Sequence, residues 1–258
     1  MSIAGGLPRA VERARAAGCD TLQVFTKSSG QWRARALPDA EIAAFRQACV
    51  ALDVQPVMAH ASYLINLGSP DDALHTRSRV ALGEELDRAE VLGLLGVVLH
   101  PGSYTTTTEE AGLARISDGI VAVLNERTDQ HTRLLLEHTA GQGTNLGHTF
   151  QQLGTIIDDA EARGTTSIGV CLDTCHLLAA GYDLGSAESY ADTMAQLEQH
   201  VGLDRVKAIH LNDSKTPLGS RVDRHTHIGS GHVGLGAFRR LLTDPRMQAV
   251  PMVLETPK

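Results

Sequence analysis

Short runs of Val, Leu, Ile and Ala alternate along the chain with longer amphipathic stretches, and six of the short runs end on a His, Asp or Glu. They are VQPVMAH ending at His60, GVVLH at His100, TRLLLE at Glu137, SIGVCLD at Asp173, VKAIH at His210 and VPMVLE at Glu255. The intervals between these endpoints are 40, 37, 36, 37 and 45 residues. Each interval holds a segment with helical periodicity. These include PDAEIAAFRQACVALD with Pro38 near its first turn, DDALHTRSRVALGEELDRAEVLG with Gly93 near its end, EEAGLARISDGIVAVLNE, TFQQLGTIIDDAEARG and SAESYADTMAQLEQHVG. An earlier pair, PRAVERARAAG and TLQVFTK, reads as a helix and a seventh strand. A strand followed by a helix, repeated at this interval, means parallel strands joined by crossover helices. Polar residues at successive strand C-termini point to a (β/α)8 TIM barrel, where the site is built at that rim, rather than to a doubly wound sheet. The pattern predicts one α/β domain over residues 1–258. The apparent first barrel strand and the closing C-terminal helix are lacking.

Length and composition fit this reading. A chain of 258 residues suits a single barrel, and 42% hydrophobic residues supply a sizeable core. Aromatic residues are only 3%, so that core is expected to be built from aliphatic side chains. No apolar run approaches the roughly 20 residues of a membrane span, and the N-terminus lacks the pattern of a secretory signal. Cys19, Cys49, Cys171 and Cys175 form no disulfide framework, so a reduced, cytoplasmic setting is expected. The only low-complexity stretch is the run Thr105 to Thr108. The net charge of −7 argues against binding nucleic acid by charge alone, but bound cations would offset most of it locally.

The strand-end residues then carry the chemistry. His60, His100 and His210 with Glu137, Asp173 and Glu255 make a mixed imidazole and carboxylate set, which suits zinc, manganese or iron better than calcium. A single histidine at a strand end is an ordinary loop residue, but six such endpoints at regular spacing are not. CLDTCH adds His176, and RVDRHTHIG adds Asp223 and His225, two apart and so on one side of an extended segment. One more ion held by His176, Asp223 and His225 is the economical assignment, with His227 competing on the same face. Cys171 and Cys175 read as a buried strand residue and a loop residue. Two close divalent ions, about 3.5–4 Å apart, activate water and clamp the attacking and leaving oxygens of an ester. Glu137, midway in the series, is the expected bridge and catalytic residue. A third ion favours phosphoester hydrolysis over proton transfer on a sugar.

At this point a resemblance becomes specific. MAHASYLINLGSP, LHPGSY, LLLEHTAGQGTNLG, GVCLDTCHLLAAGYD, HLNDSKTPLGSRVDRHTHIG and VLETPK resemble, in order, the metal-site motifs of endonuclease IV, and FTKSSGQWRARAL resembles that family's early DNA-contacting loop. The resemblance covers nearly the whole chain. It implies a TIM barrel with three zinc ions, manganese being acceptable in part. It implies hydrolysis of the phosphodiester 5′ to abasic sites in double-stranded DNA and repair of blocked 3′ ends. Carried over, the first ion falls to His60, His100 and Glu137, the second to Glu137, Asp173, His210 and Glu255, and the third to His176, Asp223 and His225. DNA contacts fall to Lys27, Gln31, Trp32, Arg33 and Arg224, with Tyr63 entering the minor groove near the lesion. A monomer is implied. Four positions depart from the family. Gly30 stands where an inserted Arg is usual, His138 where Asn follows the bridging Glu, and Ser230 where an acidic residue is usual. Met1 stands where a Val follows the first strand, which suggests a GTG valine codon read as the start. Two other readings stay open: a metal-dependent sugar isomerase or epimerase on the same barrel, and a shortened chain that binds metal or DNA without turnover.

Overall fold

The computed structural model describes residues 1–127 and 130–257, so Lys258 of the VLETPK motif lies outside the described residues. The chain alternates as anticipated. Helix α1 (Leu7–Ala16) precedes β1 (Leu22–Val24), and α2 (Asp39–Ala51), β2 (Val57–His60), α3 (Asp72–Leu92), β3 (Gly96–Leu99), α4 (Glu109–Leu124), β4 (Arg133–Glu137), α5 (Phe150–Ala162) and β5 (Ile168–Asp173) follow. The second part adds α6 (Thr174–Ala180), α7 (Ala187–His200), β6 (Val206–His210), the pair β7 (Asp213–Ser214) and β8 (His225–Thr226), α8 (Leu235–Thr243) and β9 (Met252–Val253). Three of these, α6, α8 and the β7–β8 hairpin, were not anticipated. The hairpin strands and α6 are too short to show a period, whereas α8 carries a helical stripe in Ala237, Phe238 and Leu241 that went unread.

Among the described residues, β1, β2, β3, β4, β5, β6 and β9 form one sheet, paired in parallel in that order. This is a nearly closed TIM barrel with an open seam between β1 and β9. The two apolar layers follow from the period of two in a strand. One face of each strand meets the helices. On α5, for example, Phe150, Leu153, Ile156, Ile157 and Ala160 are fully buried, a stripe at helical spacing. The other face fills the barrel with Met58, Val98, Leu135, Cys171, Ala208 and Val253. Each of these lies two residues before one of the six strand-end residues. The same inward face therefore carries an apolar plug in one layer and His60, His100, Glu137, Asp173, His210 and Glu255 in the layer above.

Local signals set the boundaries. Asp71 caps α3 by accepting from the amides of Ala73 and Leu74, and Gly93 ends it at φ 72°, a left-handed conformation that costs a glycine little. His100 lies one residue past β3 and Glu255 two past β9, so the last turn of backbone aims each of them inward.

Away from the rim, Asp244 ties α7 to the chain after α8. It accepts from the Tyr190 hydroxyl at 2.8 Å and from the Arg246 guanidinium at 2.6 Å. The Arg246 contact holds its carboxyl down at about 2. A depressed carboxyl adds stability above its unfolded value, about 3.9, and loses it as pH falls towards about 2. Asp244→Asn should therefore cost about 1–2 kcal/mol at neutral pH. The gap between variant and parent in urea melts should close as the pH approaches that of the folded carboxyl.

Candidate metal centre

Glu137 sits at the middle of the rim, fully buried at the end of β4. Its two oxygens face different histidines. Oε2 lies 3.2 Å from His60 Nε2 and 3.1 Å from His100 Nε2, while Oε1 lies 3.2 Å from His210 Nδ1. Three donor groups gather around it: His60, His100 and Glu137; then Glu137, Asp173, His210 and Glu255; then His176, Asp223 and His225. Within each group the ligand atoms lie inside 4.8 Å of one another. All nine residues singled out in the sequence are thus brought together at one mouth of the barrel.

The third group depends on two elements the strand pattern did not show. Asp173 caps α6 by accepting from the His176 amide at 2.9 Å, which turns His176 into the site one turn beyond the strand. The β7–β8 pairing sets Ser214 opposite His225, and the loop between the two strands carries Asp223 just before its end, two residues ahead of His225. Asp223 then places Oδ2 at 3.2 Å from His176 Nε2 and Oδ1 at 3.2 Å from His225 Nε2. His227 is exposed and belongs to none of the groups. Cys175, read from sequence as a plain loop residue, is buried and lies with Asp173 and His225 in a fourth donor group. Cys171 is part of the apolar plug.

The histidines are held from behind. The Nδ1 atoms of His60, His176 and His225 meet the carbonyls of Ala61 at 2.7 Å, His138 at 2.9 Å and Glu255 at 3.3 Å. A carbonyl only accepts, so each of these Nδ1 atoms carries hydrogen and each Nε2 faces the site. Asn212 steadies the carboxylates: its Nδ2 donates to Asp173 Oδ2 at 2.6 Å, and its Oδ1 accepts from the Glu255 amide at 2.8 Å. Sequence reasoning missed Asn212, although it sits two residues beyond His210.

The electrostatics fit a cation centre. Burial pushes the Glu137 carboxyl up, but the imidazoles of His100 and His210 hold it well below its usual range. Glu255 is held at about 2 against its burial, chiefly by His210. Burial pulls the His176 and His210 imidazoles down, yet carboxylates and other acidic neighbours, Asp173 first for His176 and Cys171 and Glu137 for His210, keep both well above the ordinary value. His225 is raised to about 9, Asp223 outweighing its burial. The buried Nε2 atoms of His176 and His225 lie 3.2 Å from Asp223 as ion pairs without a well-formed hydrogen bond, and among the described residues no Lys or Arg pairs with Glu137 or Asp173, so imidazoles alone balance those carboxylates there. Buried charges of this kind are normally paired or bound to metal. The donors fit zinc or manganese, and Glu137 fits as the residue shared by two ions.

Of the residues assigned to DNA, Tyr63 has direct contacts with the centre. Tyr63 is 59% exposed, its ring 5.0 Å from that of His60 and 5.7 Å from that of His100. Phe25, not picked out in the sequence, packs its ring against both Tyr63 and His60. Gln31, Arg33 and Arg224 are exposed, and Gly30 has open space around it. Trp32 is half-buried beneath the Arg77 guanidinium, 4.3 Å from its ring. Lys27, which the resemblance assigns to DNA contact, does not face outward. It is buried, donates to the Trp32 carbonyl at 3.1 Å and pairs with Glu84 and Glu85, so its charge is used beneath the loop.

The family described as xylose isomerase-like TIM barrel matches residues 11–258. A relative from Trichlorobacter lovleyi named "Probable endonuclease 4" is 48% identical over the whole chain and 91% of its own length. One of the same name from Chloroflexus aurantiacus is 46% identical over the whole chain and 90% of its own length. The crystal structure of endonuclease IV from Thermus thermophilus superposes with a TM-score of 0.87 at 40% identity, covering 98% of this chain and 88% of that one. An L-ribulose 3-epimerase structure, at 19% identity and TM-score 0.70 over 98% of this chain and 76% of its own, shares the fold alone. The chain belongs to the endonuclease IV family of xylose isomerase-like TIM barrels.

Proposed function

We propose that this chain hydrolyses the phosphodiester 5′ to abasic sites in duplex DNA and trims blocked 3′ ends at the same centre, using three divalent ions, taken as zinc with manganese acceptable in part. The observation that carries the reading is the third donor group. His176, Asp223 and His225 stand beside two groups that already share Glu137. Sugar epimerisation on this barrel needs one or two ions and gives a third no task. The relatives named as endonucleases support the same choice.

Bound at these groups, the ions would supply Lewis acidity and an activated water for phosphoester hydrolysis. The chain's own residues supply placement. Glu137 directs one oxygen to the His60 and His100 side and the other to the His210 side, so it sets the spacing of the first two groups. Asp223 joins His176 to His225 and holds the third group at the mouth. Tyr63, braced by Phe25 and His60, presents an aromatic wedge beside the centre, suited to the unstacked step at a missing base. Arg33 and Arg224 offer exposed charge for the flanking phosphates. Lys27 supports the loop from below. With Gly30 in place of a long side chain, more of the recognition rests on Tyr63.

The test is incision of an abasic duplex by purified protein, with metal counted per chain and ketose epimerisation measured in parallel. Incision with about three ions supports the reading; a single ion with ketose turnover overturns it. Tyr63→Ala should weaken binding of the abasic duplex about 5- to 150-fold, the effect of losing one stacking platform of about 1–3 kcal/mol. Tyr63→Phe should stay close to the parent. Fluorescence anisotropy titrations at fixed salt would show it, and equal affinity for Tyr63→Ala would remove Tyr63 from recognition.

A further inference from the structure

We propose that Gln23 is a positioning residue of the metal centre, setting which nitrogen of His210 and which oxygen of Glu255 face the second donor group; the inference rests on the metal reading above. The plug layer of the barrel is apolar at β2, β3, β4, β5, β6 and β9. At β1 that layer carries a glutamine: Gln23 pairs in register with Met58, between Leu22 and Val24, which face the helices. It is 8% exposed. A buried amide in an apolar layer is costly unless both ends are satisfied, and here both ends reach up into the ligand layer. Its Oε1 lies 2.8 Å from His210 Nε2, and its Nε2 donates to Glu255 Oε1 at 2.7 Å, across the seam between β1 and β9.

The amide has one orientation in this place. An amide oxygen only accepts and the NH2 only donates, and the Glu255 carboxylate only accepts, so the NH2 must face Glu255 and the oxygen His210 Nε2. His210 Nε2 therefore carries hydrogen, and Nδ1 is the nitrogen left for the centre. That atom lies 3.1 Å from Glu255 Oε2 and 3.2 Å from Glu137 Oε1. Glu255 in turn has Oε1 held by Gln23 and Oε2 free to face the group. Among the described residues the other histidines backed from behind, His60, His176 and His225, use backbone carbonyls and offer Nε2. His210 alone of these offers Nδ1 and relies on a side chain, so its orientation can be changed by mutation.

The experiment compares the parent with Gln23→Met, close in volume but unable to hydrogen-bond at either end, and with Gln23→Glu, which keeps the acceptor towards His210 and loses the donor towards Glu255. Zinc affinity is read by competition with a chromophoric chelator, and the His210 ring by nitrogen-15 NMR of the imidazoles. The parent should show a hydrogen on His210 Nε2. Gln23→Met should bind one of its three zinc ions about 10- to 100-fold more weakly, the usual cost of losing an outer partner of a ligand. It should also lose the single Nε2–H form of His210. Gln23→Glu should keep that form. Circular dichroism should show a folded barrel for both. The inference is overturned if the parent's His210 lacks hydrogen on Nε2, whatever the variants do. It is also overturned if Gln23→Met binds three ions as the parent does. A parent that binds no zinc would instead bring down the metal reading itself.

Discussion

Glu137→Gln is expected to leave the barrel folded and to lower kcat on an abasic duplex by on the order of 10³-fold, beyond the roughly 10- to 100-fold usual for an outer partner of a metal ligand. The two side chains match in size, so the buried position at the end of β4 stays filled. What changes is charge and donor capacity. The carboxylate offers one oxygen to the His60 and His100 side and one to the His210 side, and both are acceptors. An amide keeps one acceptor and presents NH2 to the other side, where it cannot bind a cation. Loss of metal from both the first and the second groups should accompany the loss of turnover. Single-turnover cleavage, metal content and far-ultraviolet circular dichroism on the same samples check all three statements. A folded variant with parental turnover would remove the shared-carboxylate mechanism.

Removing the metal should have an effect as large. Chelation is expected to abolish cleavage and lower Tm, and zinc should restore both. An ion present at about 100 times its Kd adds about 2.7 kcal/mol to folding, so losing several should shift Tm by many degrees. The pH dependence separates the two states. Without ions, buried carboxylates are balanced by protonated imidazoles; His225, raised to about 9 by Asp223, is an example. A raised histidine contributes stability that is fully present below its unfolded value, about 6.5, and is lost as pH rises through about 9. The chelated protein should therefore become less stable from about pH 6.5 to about pH 9.5. Ion binding displaces those protons, so zinc affinity should rise over the same interval. Calorimetry of the chelated protein and zinc titrations at three pH values would show the opposed slopes; parallel slopes would contradict this account.

Much of the site was readable along the chain because a strand repeats every two residues. VMAH, VVLH, LLLE, VCLD, AIH and VLE each place an apolar residue two positions before a His, Asp or Glu, which is the plug-and-ligand layering seen in the barrel. Helix stripes and the Gly93 stop were equally local. The misses were of another kind. Lys27 was assigned to DNA through the resemblance of FTKSSGQWRARAL, and only the packing of α3 brings Glu84 and Glu85 against it. Cys175 and Asn212 gave no sign of their neighbours, which come from other strands.

By itself, then, the sequence determined the repeating unit, the parallel barrel and the nine side chains at its mouth, since periodicity and strand-end chemistry are properties of adjacent residues. The tertiary structure alone decided which donors share a group, that the two oxygens of Glu137 serve different sides, that Gln23 crosses the seam to His210 and Glu255, and that Lys27 turns inward. Those facts depend on the register between strands some 40 residues apart. A slip of one residue would turn every ligand to the other face of its strand, and no local pattern states the register.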